Sequence, residues 1–434
     1  MKEDMKQSDT TQSSRKAHPA HGGLDAPVDR IMTEDMAREV RARGDELTTL
    51  RLSLADLSTT RRIGDGALSP LTGPMNRDAF SAVLTDERIV SGGSSYAWTI
   101  PIAFPATDDE AQRLAGKKEA LVTDFEGTPV GLLEIGDIYD FDKKTYLESV
   151  YGTDRIDHPG ARMVLSDERK TLVGGDVWVF PEVYREMASS RQLHPVDSRS
   201  LFTEKGWERI IAFQTRNPLH RAHEYAMVVA VERLTAEGRF AGIVLNPLLG
   251  ELKSDDVPAA VRMKTYRALI DNRILGRGDT DEEIWKKAGY DINDQFMLLG
   301  LDMKMFYAGP KEAIMHAIYR QNYGFTDIII GRKHADAPFD DGGPIWGDFD
   351  AQEKFTDLKG SLAINNLNVG FAAFYDELGR VALMEDERVK DLKPTTMSGT
   401  KLREILASGE IPEEKFMRPE TSSVLIEYYK TMGK

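Results

Sequence analysis

The sequence predicts a multidomain α/β protein: a β-rich N-terminal part, a parallel α/β unit, and a small α/β domain at the C-terminus. Three observations carry this. Residues 25–195 mix short apolar runs with frequent turn residues. From about residue 200, buried-strand runs alternate with longer helical stretches, the mark of a parallel sheet covered by helices. Residues 209–224, RIIAFQTRNPLHRAHE, feed a strand directly into a helix start. At 434 residues the chain has room for about two or three domains.

In chain order, residues 1–20 carry only Met1 and Met5 as large apolar side chains. They bury too little to order themselves, which predicts a disordered tail, bounded here at 1–24. In 25–195, the runs Tyr96–Ile100, Ala120–Val122 and Val177–Phe180 read as strands, with glycine pairs at 92–93 and 174–175 as punctuation. In 196–345, Ile210–Phe213 is a short buried strand, and Gln214, Thr215 and Arg216 form a polar turn. Asn217 then reads as an N-cap with Pro218 at the first helical position. Leu219, Ala222, Ala226, Val229, Ala230 and Leu234 recur at helical spacing. Gly242–Leu245 is a second strand, Pro258–Asn272 and Gly309–Asn322 are helices, and Asp327–Ile330 is a β-branched strand ending at Gly331. In 346–434, Ser398 or Thr400 caps a helix whose apolar face is Leu402, Ile405 and Leu406.

Composition narrows the function. With 56 basic and 71 acidic residues the net charge is −15, which argues against a nucleic-acid-coating protein. Any positive charge serving an anionic substrate is therefore local. The absence of cysteine excludes disulfides and thiolate metal sites. No apolar run approaches the roughly 18 residues of a membrane span, and no signal-peptide core is present, so the cytoplasm is expected.

The chemistry concentrates at two strand ends. Ligands of parallel sheets bind beyond the carboxyl ends of strands, and both QTRNPLHRAH and Gly331-Arg332-Lys333-His334-Ala335 follow strands directly. A helix N-terminus offers free N–H groups and the positive end of its dipole. Arg216, His220 and His223 add side-chain donors suited to phosphoryl oxygens. Taken alone, two histidines three apart also serve as caps or zinc ligands, and GRKHA also reads as a solvated basic turn.

QTRNPLHRAHE resembles the signature of the ATP sulfurylase family, with HRAH standing for the HxGH-type motif of the nucleotidylyltransferase superfamily. His21-Gly22-Gly23-Leu24, Gly66–Met75 (GALSPLTGPM), Tyr307-Ala308-Gly309-Pro310, Asn322–His334 (NYGFTDIIIGRKH), Gly347–Glu353 (GDFDAQE) and Ser398-Gly399-Thr400 resemble further family motifs, in the family's order. The resemblance implies a PUA-like barrel at the N-terminus and a Rossmann-like nucleotidylyltransferase domain. It implies adenylyl transfer from ATP to sulfate, giving adenosine 5′-phosphosulfate and pyrophosphate, in a homodimer, with Mg²⁺ carried by ATP and not held in a dedicated protein site. By the same resemblance Gln214, Arg216 and the Ala335 backbone bind sulfate. Thr215 and Asn217 hold the α-phosphate region, and His220 and His223 stabilise charge on the bridging and β-phosphate oxygens. Gly331, Arg332, Lys333 and His334 belong to the nucleotide side, and Ser398–Thr400 approaches the triphosphate.

Two departures stand out. Lys333-His334 and Asp336-Ala337-Pro338 replace the commoner Asp-His and Gly-Pro-Gly, a form resembling the dissimilatory branch. The cysteines that accompany a zinc site in some relatives are absent, so no zinc is expected and His316 reads as a buried or partner-bonded histidine. No GxxxxGK[ST] loop occurs, so no kinase module is expected. A sister nucleotidylyltransferase with another acceptor, or a non-catalytic regulatory protein, are the competing readings. Neither accounts as well for Gln214-Thr215-Arg216 together with intact catalytic side chains.

Overall fold

The computed structural model describes residues 18–185, 191–250 and 257–432. The tail expected over 1–24 lies outside the described residues up to 17, but its last part is corrected. Ala20 and His21 are buried, and Ala20 bridges Leu24. The chain is anchored there because His21 donates its backbone N–H to Asn322 Oδ1 at 2.8 Å and sets Nε2 2.8 Å from the Ala97 carbonyl.

The N-terminal part contains β1 (Thr48–Arg51), the hairpin β2 (Arg88–Ser91) and β3 (Ser94–Ala97), β4 (Phe104–Ala106), β5 (Glu119–Thr123), β6 (Pro129–Asp140) and β7 (Thr171–Val179). Five of these form one sheet in the order β1-β5-β6-β7-β4, with β1 parallel to β5 and the rest antiparallel. Among the described residues β1 and β4 are its edges, so the strands do not close on each other as the expected barrel would. Gly174 and Gly175 lie inside β7, not at a turn. They face the register shift between Ile135 and Asp137, a bulge where a Cβ on Gly175 (φ +152°) would lie 2.0 Å from the Glu134 carbonyl oxygen.

The second sheet holds β8 (Arg209–Thr215), β9 (Ala241–Pro247), β10 (Phe296–Leu298), β11 (Asp327–Ile330) and β12 (Asn365–Asn368), all parallel, in the order β10-β9-β8-β11-β12. The chain thus winds outward from β8 on one side and resumes at β11 on the other. That reversal is the topological switch point at which open α/β sheets bind ligands. β12 extends this sheet past residue 345, to Asn368. Its sequence, NNLN, is polar because β12 is an edge strand.

Beyond β12, the hairpin β13 (Ala372–Tyr375) and β14 (Arg380–Leu383) packs against the helix Arg221–Ala236. Buried ion pairs secure that helix. The Arg221 guanidinium lies 2.8 Å from Asp279, whose other oxygen accepts the Val381 N–H at 2.8 Å, and Arg418 reaches Glu224 at 3.1 Å. Removing either acid would strand a buried cation, at about 3–5 kcal/mol.

The two sheets share one core. Trp98, Phe104 and Val177 belong to the same apolar cluster as Ile314, Ile318 and Tyr319 of the helix Gly309–Tyr323. At its end Asn322 accepts from His21 and donates to the Ala67 and Ser69 carbonyls at 3.0 and 3.1 Å. Three motifs far apart in sequence therefore meet on one buried amide. Among the described residues no helix is long and apolar enough to cross a membrane.

Candidate active site

Two strand ends and two helix starts build the site. β8 delivers Gln214 and Thr215, and Arg216 follows. The helix begins three residues later than the Asn217 cap expected from sequence, at Arg221, with His220 as its N-cap. A residue before proline disfavours the helical region, so the helix does not start at Asn217, which lies in a bend. Thr215 Oγ1 also brackets the turn, accepting the Asn217 N–H and donating to its carbonyl, both at 3.1 Å, while the Tyr266 hydroxyl donates to that carbonyl at 2.8 Å. The Thr215 hydroxyl is thus already committed to shaping the turn. Residues 216–220, outside helix and strand, lead to the two histidines, whose rings stack with centroids 3.7 Å apart.

Among the described residues, three buried polar atoms at this rim have no hydrogen-bond partner: Gln214 Oε1, Arg216 Nη1 and His223 Nδ1. Buried polar groups are nearly always paired, so unpaired ones gathered at a switch point mark a place for a polar ligand. The Arg216 guanidinium sits 5.5 Å from the centre of the Tyr307 ring. Burial lowers His220 to about 4 and His223 well below its ordinary value, His223 being further opposed by His220. Both are therefore neutral N–H donors near pH 7, and the full positive charge here belongs to Arg216.

The second strand end lies across the gap. β8 and β11 pair only at Ile211–Asp327 and Ala212–Ile328, so they part before the rim. Gly331 borders open space, with nothing within 4 Å of an added Cβ. Tyr307, Lys333 and Ala335 have φ of +59°, +49° and +58°. Such left-handed non-glycine residues are strained and gather at functional sites. The Gly309 N–H donates to the Ala335 carbonyl at 3.1 Å, joining the two strained loops.

Arg332 and Lys333 share one acid: Asp348 lies 2.8 Å from Arg332 Nε and 3.7 Å from Lys333 Nζ. Arg332 also stacks on Phe371 at 4.1 Å. The extra charge expected from Lys333 is accordingly offset in part by Asp348. His334 is not a cation either. Burial first, then His316 and Arg320, lower it to about 3.

On the other flank, Ser398 caps the helix Gly399–Ala407 by accepting the Lys401 N–H at 3.2 Å, a contact worth about 1 kcal/mol. Gly399 borders a cavity of about 200 Å³ that His220, Met397, Leu402 and Lys415 also line. The structure thus brings the HRAH and SGT segments together.

The buried, partner-bonded His316 expected from sequence lies behind the site, with partners that sequence reasoning missed. His316 Nδ1 lies 2.9 Å from His334 Nε2, and His316 Nε2 lies 3.2 Å from Glu312 Oε1. The four-residue spacing of Glu312 and His316 on one helix face was a readable signal. The contact to His334 was not, because it depends on how the loop after β11 folds back.

Comparison with known proteins agrees with this geometry. The family model described as ATP-sulfurylase matches residues 189–428, and one described as PUA-like domain matches 18–182. The chain is 49% identical to a sulfate adenylyltransferase of Pyropia yezoensis, over 96% of this chain and 98% of that protein. It is 33% identical to one of Desulforamulus reducens over 95% and 98%, and 35% identical to one of Synechococcus elongatus over 94% of each. A solved structure titled hexameric APS kinase from Thiobacillus denitrificans superposes with a TM-score of 0.66 at 19% identity, covering 94% of this chain and 68% of that one, a likeness of fold. With a family model spanning its catalytic half and relatives matching it almost end to end, the chain belongs to the ATP sulfurylase family of nucleotidyltransferases, as a sulfate adenylyltransferase.

Proposed function

We propose that sulfate is adenylylated in the gap between the carboxyl ends of β8 and β11, and that the unpaired atoms of Gln214, Arg216 and His223 are its receptors. A sulfate oxygen attacks the α-phosphorus of ATP in line. The bond from that phosphorus to the bridging oxygen breaks, and pyrophosphate leaves with the electron pair. Sulfate needs no general base because it is already a dianion. The obstacle is bringing one anion onto another, so positioning and charge neutralisation supply the catalysis.

In this reading Gln214, Arg216 and the Ala335 backbone hold sulfate. Thr215 shapes the turn that presents Asn217 to the α-phosphate. His220 and His223 donate to the bridging and β-phosphate oxygens, where charge builds as pyrophosphate departs. Gly331, Arg332, Lys333 and His334 face the nucleotide, and the Ser398–Thr400 helix start faces the triphosphate across the cavity it shares with His220. Among the described residues no three His, Asp or Glu side chains are grouped to hold a metal ion. Mg²⁺ arrives with ATP, held by phosphate oxygens and water. A cytoplasmic homodimer of the dissimilatory branch completes the proposal, the branch resting on Lys333-His334 and Asp336-Ala337-Pro338.

A coupled assay run in both directions, with molybdate offered as a sulfate mimic, tests the reaction. His220→Ala and His223→Ala test the rim. Each is expected to lower kcat by about 10²–10³-fold with a smaller change in the KM for ATP, as for loss of a donor to developing charge. An unchanged kcat with only a raised KM would assign both rings to ground-state binding.

A further inference from the structure

Glu312 and His316 are buried and outside the rim, yet their hydrogen bonds run toward it. Glu312 Oε1 accepts the Phe306 N–H at 2.8 Å and Oε2 the Ala308 N–H at 3.0 Å. Both carboxylate oxygens therefore act as acceptors, and they hold the loop that carries Tyr307. Glu312 Oε1 also lies 3.2 Å from His316 Nε2, and His316 Nδ1 lies 2.9 Å from His334 Nε2.

These contacts dictate where the protons sit. A neutral imidazole has one N–H and one bare nitrogen. Facing an ionised carboxylate, His316 must carry its proton on Nε2, which leaves Nδ1 bare. Facing that bare nitrogen, His334 must carry its proton on Nε2, which leaves its own Nδ1 bare. Both rings are neutral, His316 through burial and then Arg320, so once Glu312 is ionised the chain has no spare proton.

We propose that Glu312 and His316 are positioning residues that hold His334 as the Nε2–H tautomer, so that its free nitrogen presents an acceptor, not a donor, to the site loop. His334 then serves a hydroxyl or N–H group and not a phosphate oxygen. The same carboxylate sets the Tyr307 loop, so one acid braces both strained loops of the rim. The role in turnover rests on the reading that the 331–335 loop faces the reactants; the tautomer does not.

The test combines ring ¹⁵N spectra with kinetics. Spectra of the histidine-labelled full chain are taken above about pH 8, because burial raises Glu312 to about 7. His334, assigned by loss of its signals in His334→Asn, is expected to show a protonated Nε2 and a bare Nδ1. Glu312→Gln must set an NH₂ against a backbone N–H or the ring of His316. It is expected to change that pattern and lower kcat about 10–100-fold, the scale of a small misplacement, with the KM for ATP altered less than about threefold. His316→Leu should behave alike. His316→Gln, whose amide donates on one side and accepts on the other, should recover most of the rate with the same unfolding midpoint as His316→Leu. A bare Nε2 on wild-type His334 would overturn the proposal. So would wild-type kcat in both Glu312→Gln and His316→Leu while Arg216→Ala is inactive. Full activity in Arg216→Ala as well would overturn the site reading itself.

Discussion

Two amides show how differently this protein uses the same chemistry. Asn322, at the end of the helix Gly309–Tyr323, has its oxygen engaged by His21 and its nitrogen by two carbonyls, and it is fully buried. Gln214, at the end of β8, has a buried oxygen with no partner among the described residues. The first amide is a joint between the two sheets, and its hydrogen-bonding capacity is used up by the fold. The second is kept open by a fold that could have closed it. Both lie in motifs shared with the ATP sulfurylase family, so motif membership alone does not separate a joint from a receptor. The hydrogen-bond account does.

Removing the charge at the open end should have the largest effect. Arg216→Ala is expected to lower turnover by about 10³-fold or more, because an anion there loses its only fork-shaped partner, while the unfolding midpoint stays near wild type. Arg216→Lys should also be badly impaired, a point charge replacing a fork. Sulfate-dependent pyrophosphate release near the wild-type rate in Arg216→Ala would erase the distinction between the two regions. The joint should respond the opposite way. Asn322→Leu strands one N–H and two carbonyls, costing about 3 kcal/mol or more, and is expected to appear in thermal unfolding while the surviving folded protein keeps its KM values.

Acid should weaken the joint and the rim together. His21 and His220 are each lowered by burial from 6.5 to about 4. Between those values the unfolded chain binds protons that the folded chain refuses. Stability is therefore full above about pH 6.5 and falls as pH drops toward 4, by about 1.4 kcal/mol per unit for each ring. Denaturant titrations from pH 7 to 5 would measure the slope, and His21→Asn should reduce it. An unchanged slope in His21→Asn would mean that His21 is not held neutral. The smallest effect is expected at Lys333, which shares Asp348 with Arg332 and is partly exposed. If Lys333 reaches the nucleotide, Lys333→Ala weakens ATP and adenosine phosphosulfate together and Lys333→Asp is worse, through repulsion. Kinetics equal across the three forms, within the ~0–1 kcal/mol of an exposed charge, would remove it from the site.

The sequence disclosed what rests on periodicity and local chemistry. β8, β9, β11 and the helices between them follow from apolar runs and helical spacing, and Ser398 was readable as a cap. What escaped was set by tertiary contacts. The late helix start follows from Thr215 bracketing Asn217 ahead of Pro218. β12 was hidden because an edge strand needs no apolar alternation, and Gly174-Gly175 mimicked a turn while serving a bulge. His316 was readable as buried and partner-bonded, but its partner, His334, comes from a loop that local spacing does not describe. The anchoring of His21 depends on an asparagine some 300 residues away and leaves no local trace.

The placement of β8 has a consequence for how the chain is made. It lies between β9 and β11, and β11 begins only at Asp327. As the polypeptide leaves the ribosome, β8 gains its first neighbour early but waits for more than a hundred further residues before its second edge is covered. Throughout that interval Ile210, Ile211 and Ala212 line an open edge able to pair with another nascent chain. β8, the strand that carries Gln214, thus waits longer for its second neighbour than β9, whose second neighbour β10 begins at Phe296. Conditions that slow synthesis between residues 250 and 330 should raise aggregation of this protein more than the same delay imposed after β11 is complete.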